Sequence, residues 1–427
     1  MAAVGYTAHM HTEQREKPDF FDVIILGAGA SGLSCSIAAA ARGKSVLLID
    51  HAAKPGRKML IAGGGKCNLT NKNVSTEDYA GENPLFCRSA LSRFTPETFL
   101  VELEQARVAL EEREEGQIFC ARSAKDLVNY FVRQSNELGC RFAMEEKIRS
   151  VAPLPFILEH GSEKANAASS TGFGVTTDKG RYCAPSLVIA TGGPAYSSVG
   201  ATGIGYTLAR QFGHEVARIR PALTGLILPA GSALTKLSGL SLRVNLSLYG
   251  NASPIRQVSR NLPLLFTHKG LSGPTALQAS LFWQTGMRLQ INFMPEQSLE
   301  ELLQSPGAGK SLVLNLLKKR LPDRLAEVIV PKGLAQKKSA ELSREQRKEL
   351  HATLHEHHLA PVGVEGFARA EVTAGGVSTA QVSSRTMESA LQEGLFFCGE
   401  VLDVTGRLGG YNLHWAFASG KAAGEHV

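Results

Sequence analysis

A thiol, a phenol and two imidazoles stand next to glycine-rich turns in this sequence. Cys67 follows three glycines and a lysine in GRKMLIAGGGKCNLTN (Gly56–Asn71), Tyr411 and His414 come just after Gly409-Gly410, and His268 lies in FTHKGLSG. Each can give a proton to a reacting atom if a substrate comes within hydrogen-bond reach. Each also has a plain structural reading. A free cysteine is often a small packing residue, and His268 suits a turn. Tyr411 and His414 are three apart and so share one helix face, from which either could donate.

The triple glycine is not a phosphate loop, because Lys66 is followed by Cys67 and G-x-x-x-x-G-K-[ST] is absent. Glycines without side chains let backbone lie against a flat ligand or leave room for one. Arg57 and Lys58 stand just upstream and can reach phosphates or ribose. In HATLHEHH, His351 and His355 share a helix face and raise a metal reading, but the order H-E-x-x-H is missing. An exposed helix face is the preferred reading, and no metal is expected.

The elements that must position these groups begin at Phe21. FDVIIL reads as a buried strand that runs into Gly27-Ala28-Gly29-Ala30-Ser31-Gly32, and the alanine-rich segment after it reads as a helix. This is G-x-G-x-x-G in its required strand, turn and helix context. Gly27 permits the turn, Gly29 lets a pyrophosphate approach, Gly32 lets helix and strand pack closely, and the helix N-terminus faces the phosphates. A second strand, KSVLLID, ends in Asp50, where a carboxylate can hold a ribose.

The fingerprint alone leaves FAD and NAD open. LVIATGG (Leu187–Gly193) reads as a strand returning to the same sheet, and Gly394–Val427 as a strand, a polar turn and a final helix. Flavoproteins of the two-dinucleotide-fold class close an FAD site with such segments. The Gly409-Gly410 helix start would then aim N–H groups at the flavin edge that becomes anionic on reduction.

From Phe20 onward the chain resembles the BaiN/RdsA family of FAD flavoproteins. The resemblance rests on GAGASGL, KPGRKMLIAGGGKCNLTN, ATGG, LLFTHKGLSGPTALQ, AEVTAGGV, SSRTMES and GEVLDVTGRLGGYNLHWAFASG. It implies an α/β fold with a Rossmann-like FAD-binding domain built from both chain ends, an inserted antiparallel β domain and a small helical subdomain. Cofactor contacts are expected from Gly27, Gly29, Ala30, Ser31, Gly32, Asp50, His51, Arg57, Lys58, Gly64, Cys67, Asn68, Thr191, Gly192, Gly193, Gly399, Glu400, Asp403, Gly409, Gly410, Tyr411 and Asn412. Activities in the family are reductions of conjugated C=C bonds. One branch acts on steroid-like enones, and the branch this chain looks closest to makes dihydrouridine in 23S ribosomal RNA. Three departures stand out: Lys66 where arginine is common, PAYSS after ATGG in place of the usual serine and proline pattern, and His414 where glutamine is frequent.

These features give a division into a tail over 1–18, a discontinuous FAD-binding domain over 19–217 and 366–427, a β-rich domain over 218–296 and a basic helical subdomain over 297–365. Alternating runs such as LSLRVNLSLYG support the β region, and runs such as SLVLNLLKKRL support the helices. Residues 310–348 carry eleven Lys/Arg against four acids, an excess equal to the +7 of the whole chain. A solvated face explains such a run, and so does a phosphate backbone as partner.

Seven cysteines with no C-x-x-C pair argue for a reducing, cytoplasmic setting. No signal peptide is read at the start, and no membrane span is read anywhere. No second dinucleotide fingerprint is present, so NAD(P)H is expected as a transient reductant without its own domain. Three functions follow: an rRNA-modifying flavin reductase working by hydride transfer from reduced flavin, a small-molecule enone reductase, or a non-catalytic FAD-binding redox protein.

Overall fold

A computed structural model describes residues 18–156, 170–197, 200–250 and 256–427. The expected tail, apart from Pro18, lies outside them. FDVIIL forms the strand Val23–Leu26, buried at all four positions. A parallel strand covered on both faces requires an apolar residue at every step. It sits in the middle of a five-stranded sheet ordered Leu395–Phe397, Ser186–Ile189, Val23–Leu26, Val46–Asp50, Arg141–Met144. Every pair in it is parallel. The strand expected from LVIATGG and the one expected near the C-terminus therefore complete the sheet begun at Val23.

The helix Ala30–Ala40 follows the glycine turn, and the final helix Tyr411–Gly424 packs directly on it. The approach is close because glycines face backbone. A β-carbon on Gly420 would stand 2.2 Å from the Ser31 carbonyl oxygen, and one on Gly424 would stand 2.4 Å from that of Cys35.

A second sheet has seven strands in the order His357–Leu359, Arg288–Asn292, Ser241–Tyr249, Arg256–Phe266, Gly270–Ser272, Leu226–Ile227, Gly363–Val364. All of its pairs are antiparallel. The segment read as helical over 297–365 differs from that reading at its end. Helices run from Leu299 to His355, and the chain then adds two short strands to this sheet. The helices are thus an excursion from within the β layer, and one apolar cluster holding Leu246, Phe266, Leu325 and Leu350 joins sheet and helices. The two main cores meet where Arg220–Ala222 pairs with Val372–Ala374, sealed by Ala222, Leu223, Leu281, Val372 and Ala374.

Candidate active site

At Gly27, φ is +108°, and an added β-carbon would meet the Ala190 carbonyl oxygen at 2.5 Å, so only glycine fits there. One on Gly32 would meet the Gly27 carbonyl oxygen at 1.9 Å. Gly29 is different: nothing lies within 4 Å of its missing side chain. The turn is closed on the protein side and open on the other, as a pyrophosphate cradle requires. No side chain caps either the helix that starts at Ala30 or the one that starts at Tyr411. The N-caps are Gly29 and Gly410, which leaves the first N–H groups of both helices available to an anion. These residues fit FAD, with the Ala30 end suited to the diphosphate and the Tyr411 end to the electron-rich flavin edge. When bound, FAD would supply the hydride-transfer chemistry that no side chain offers.

The triple glycine now has a physical reason. Gly63, Gly64 and Gly65 all have positive φ, and so does Cys67, at 52°. Gly64 is exposed with nothing within 4 Å of its missing β-carbon. The strand Asn68–Asn71 then lies against the start of the final helix: the Asn71 Nδ2–H donates to the Gly409 carbonyl at 3.0 Å, and a β-carbon on Gly410 would be 2.3 Å from the Thr70 carbonyl oxygen. Asn68 packs between Gln117 and Gly410. Two glycine segments far apart in sequence meet here.

Several expected contacts are engaged by protein groups. Asp50 Oδ2 accepts from the Ala28 N–H and Oδ1 from the Ala52 N–H, each at 2.8 Å, so this carboxylate braces the glycine turn. His51 Nδ1 lies 3.5 Å from it. Gly200 approaches His51 and Arg57, since a β-carbon there would be 2.9 Å from the His51 Nε2. Lys58 pairs with Glu400, whose other oxygen accepts from the Thr373 N–H at 2.8 Å. The Thr191 hydroxyl turns inward to Gly205 and has no partner. Gly192 has open space beside it, Gly193 packs on Thr373, and Gly399 packs on Ser31. Asn412 clamps its own loop by accepting from the Gly406 N–H and donating to the Gly406 and Arg407 carbonyls. Asp403 Oδ2 accepts from the Glu82 N–H at 2.8 Å, and burial raises this carboxyl above the usual range.

Among the expected proton donors, His414 must be corrected. It has no exposed surface, and its ring stacks on Phe94 at 5.7 Å between centroids. Its Nε2–H donates to the Phe94 carbonyl (3.0 Å), so its Nδ1 accepts from the Thr70 hydroxyl (2.9 Å). This imidazole is neutral and fixed in the core, and burial holds its pKa down to about 4. The shift sets a pH dependence. Above the ordinary value of 6.5 the ring is neutral in both folded and unfolded chains. As pH falls from 6.5 toward 4 only the unfolded chain takes up the proton, so stability drops, by roughly 3 kcal/mol in all. Replacing His414 with Gln should flatten that acid limb in melting temperatures recorded between pH 7 and pH 4.

Cys67 is also fully buried, and burial, reinforced by Cys120, pushes its thiol well above the ordinary range. The packing reading is the one its position supports. A Cys67→Ala enzyme should keep its flavin absorbance and turn over within about twofold of wild type, while losing about 1 kcal/mol of stability to the small cavity. Tyr411 alone of the three is half-buried rather than buried. It stands edge-on to Tyr79 at 6.3 Å, and burial raises its phenol to about 12, so it stays protonated at neutral pH. His268 sits exposed in the tight turn Thr267–Gly270 of a hairpin.

Residues not singled out from sequence include Thr373, which binds Glu400 and the Ala195 N–H. Arg218, Arg220 and Arg256 are others, and they line a cavity of about 1190 Å³ between the two main cores. The AEVTAGGV motif was the only signal for Thr373, and the arginines had none. Among the described residues no cluster of His, Cys, Asp and Glu can hold a metal ion, and no helix is long and apolar enough to cross a membrane. His351 and His355 lie 4.8 Å apart with their rings tilted by 35°, and both are half-buried rather than on the exposed face expected, because they pack toward the sheet, His355 Nδ1 at 3.1 Å from Asn292 Oδ1.

The HI0933-like protein Rossmann-domain family matches residues 21–426. The chain belongs to this family. Its relatives include "Ribosomal RNA dihydrouridine synthase" of Escherichia coli, 39% identical over 95% of this chain and 98% of that one. The Haemophilus influenzae protein of the same name is 36% identical over 93% and 96%. "3-dehydro-bile acid delta(4,6)-reductase" of Clostridium scindens is 30% identical over 94% and 97%. The BaiN/RdsA resemblance and the Rossmann-like α/β flavoprotein fold thus stand, and the chain is a flavin-dependent oxidoreductase.

Proposed function

We propose that this enzyme reduces the C5=C6 bond of a uridine in ribosomal RNA, in the large-subunit 23S molecule, to give dihydrouridine. The reading is carried by similarity that runs end to end with two proteins named as ribosomal RNA dihydrouridine synthases. The basic excursion supports it. Lys318 is paired with Glu327, while Lys319, Arg320, Lys332, Arg344 and Arg347 are exposed, as groups that meet a phosphate backbone must be.

In this reading the Gly29 and Gly410 helix starts hold FAD, Gly64 and its neighbours form a bare wall beside the reacting base, and Tyr411 supplies the proton. A reduced pyridine nucleotide is the electron donor, and the enzyme works in the cytoplasm. Nucleoside mass spectrometry of 23S rRNA from a deletion strain tests the substrate: dihydrouridine should vanish and return with the wild-type gene. Normal dihydrouridine in that strain would refute the assignment. A neutral enone that reoxidises the reduced enzyme faster than any RNA does would favour small-molecule reduction instead.

A further inference from the structure

The cavity between the FAD-binding core and the β layer belongs to neither. One wall carries Asp403 and Thr405; the other carries Arg256, Phe282 and Trp283. Gly406, next to Thr405, packs against Tyr411 at the start of the final helix, so this wall leads to the segment expected at the flavin edge.

Its charge is unbalanced. Three guanidiniums, on Arg218, Arg220 and Arg256, face two carboxylates, on Glu82 and Asp403. Asp403 is already bound to the Glu82 N–H. Arg220 donates to the Ser280 and Leu281 carbonyls, which orient its guanidinium, and Asp403 offsets part of its charge. The Arg256 guanidinium lies over the Phe282 ring at 3.6 Å, and partial burial, followed by the nearby Arg407, lowers its proton affinity. A neutral hydrocarbon in this space would leave the excess positive charge uncompensated beside the half-buried Arg220. A phosphate suits them, since planar forked donors match its oxygens. The stacked guanidinium and ring make a flat platform of the kind on which single-stranded bases lie. The volume exceeds what one small enone needs.

We infer that this cavity is the substrate pocket for single-stranded RNA, with Arg218 and Arg256 holding phosphates that flank the target uridine and the Arg256–Phe282 platform stacking a base. The assignment rests on the RNA reading given above and places the recognition of that substrate. Arg220 orders the cavity wall through its carbonyl bonds and is a positioning residue.

Trp283 lines the cavity, and the other tryptophan, Trp415, is buried in the FAD-binding core. The flavin-loaded enzyme is titrated with the 5′-phosphorylated uridine trinucleotide, and tryptophan fluorescence is followed. A saturable change is expected, absent in Trp283→Phe. The affinity should fall about tenfold in Arg218→Ala and in Arg256→Ala, with flavin absorbance unchanged, and uridine nucleoside should bind at least tenfold more weakly. The assignment is overturned by the absence of a saturable signal, by undiminished affinity in both arginine variants, or by equal affinity for the nucleoside. It is likewise overturned if NADPH displaces the trinucleotide and itself loses affinity in the same variants, which would make this the reductant site. Binding is read without turnover, so the outcomes separate. Normal dihydrouridine in the deletion strain removes the rRNA reading even if the trinucleotide binds here, whereas loss of dihydrouridine without this binding moves the pocket elsewhere.

Discussion

A Gly29→Glu protein should purify folded and colourless. Gly29 has φ −84° and ψ −167°, extended backbone that any residue adopts, and nothing lies within 4 Å of a side chain built there. A carboxylate at this N-cap also sits well at the positive end of the helix Ala30–Ala40. The fold therefore has no reason to object. The diphosphate does, because the new side chain takes its place, engages its N–H donors and repels its charge. A loss of at least about a thousandfold in FAD affinity, roughly 4 kcal/mol, is expected, with the thermal unfolding of the apoprotein matching that of wild-type apoprotein. Equilibrium dialysis of FAD and calorimetry on the same sample check both halves. A yellow variant with wild-type affinity would show that the diphosphate lies elsewhere. Gly32→Ala should fail differently, at folding, because its β-carbon would stand 1.9 Å from the Gly27 carbonyl oxygen.

The second large effect is expected far from the glycine turn in sequence and next to it in space. Gly420 is in the final helix, and a β-carbon there would stand 2.2 Å from the Ser31 carbonyl oxygen. The obstacle is backbone, so no rotamer relieves it, and Gly420→Val must separate the two helices. A loss of about 4 kcal/mol or more is expected, in the range reserved for severe core overpacking. Flavin should leave with it, since moving Ser31 moves the first turn of the helix that receives the diphosphate. Lys421→Ala, at the next position, removes a half-exposed amine that lies 3.8 Å from Glu102 and 5.7 Å from the Phe94 ring centroid, and should cost less than about 1 kcal/mol. Urea unfolding of the two variants side by side measures the contrast, and equal midpoints would contradict the close packing described.

Both expectations show where the sequence was legible. The strand, turn and helix around Gly27 to Gly32 were readable because their neighbours in sequence are also their neighbours in space: they form one local unit whose glycines have few other uses. The antiparallel layer was readable from alternation, and the helical run from its apolar spacing. Its end was misread because HHL and GV, at 357–359 and 363–364, are too short for any period to show, and they become strands only when the edges of a sheet accept them.

The proton donors divide in the same way. Residue type marked Cys67, Tyr411 and His414 as able to donate, and spacing put the last two on one face of a helix. Burial then separated them. His414 turns into a pocket formed by Thr70, Phe94 and Phe99, elements more than 300 positions away along the chain, and Cys67 is enclosed by its own left-handed loop and core. No local pattern carries that information, because side-chain exposure depends on what the rest of the chain places on top.

The sequence by itself determined the flavoprotein class, the parallel sheet and the family, since these depend on short-range order and on motifs that can be read one after another. Only the tertiary structure decided which candidate groups remain within reach of a substrate. It also gathered Arg218, Arg220 and Arg256 with Phe282 around one cavity: a charge cluster drawn from separate strands and helices has no signature along the chain, and it exists only where two cores are brought together.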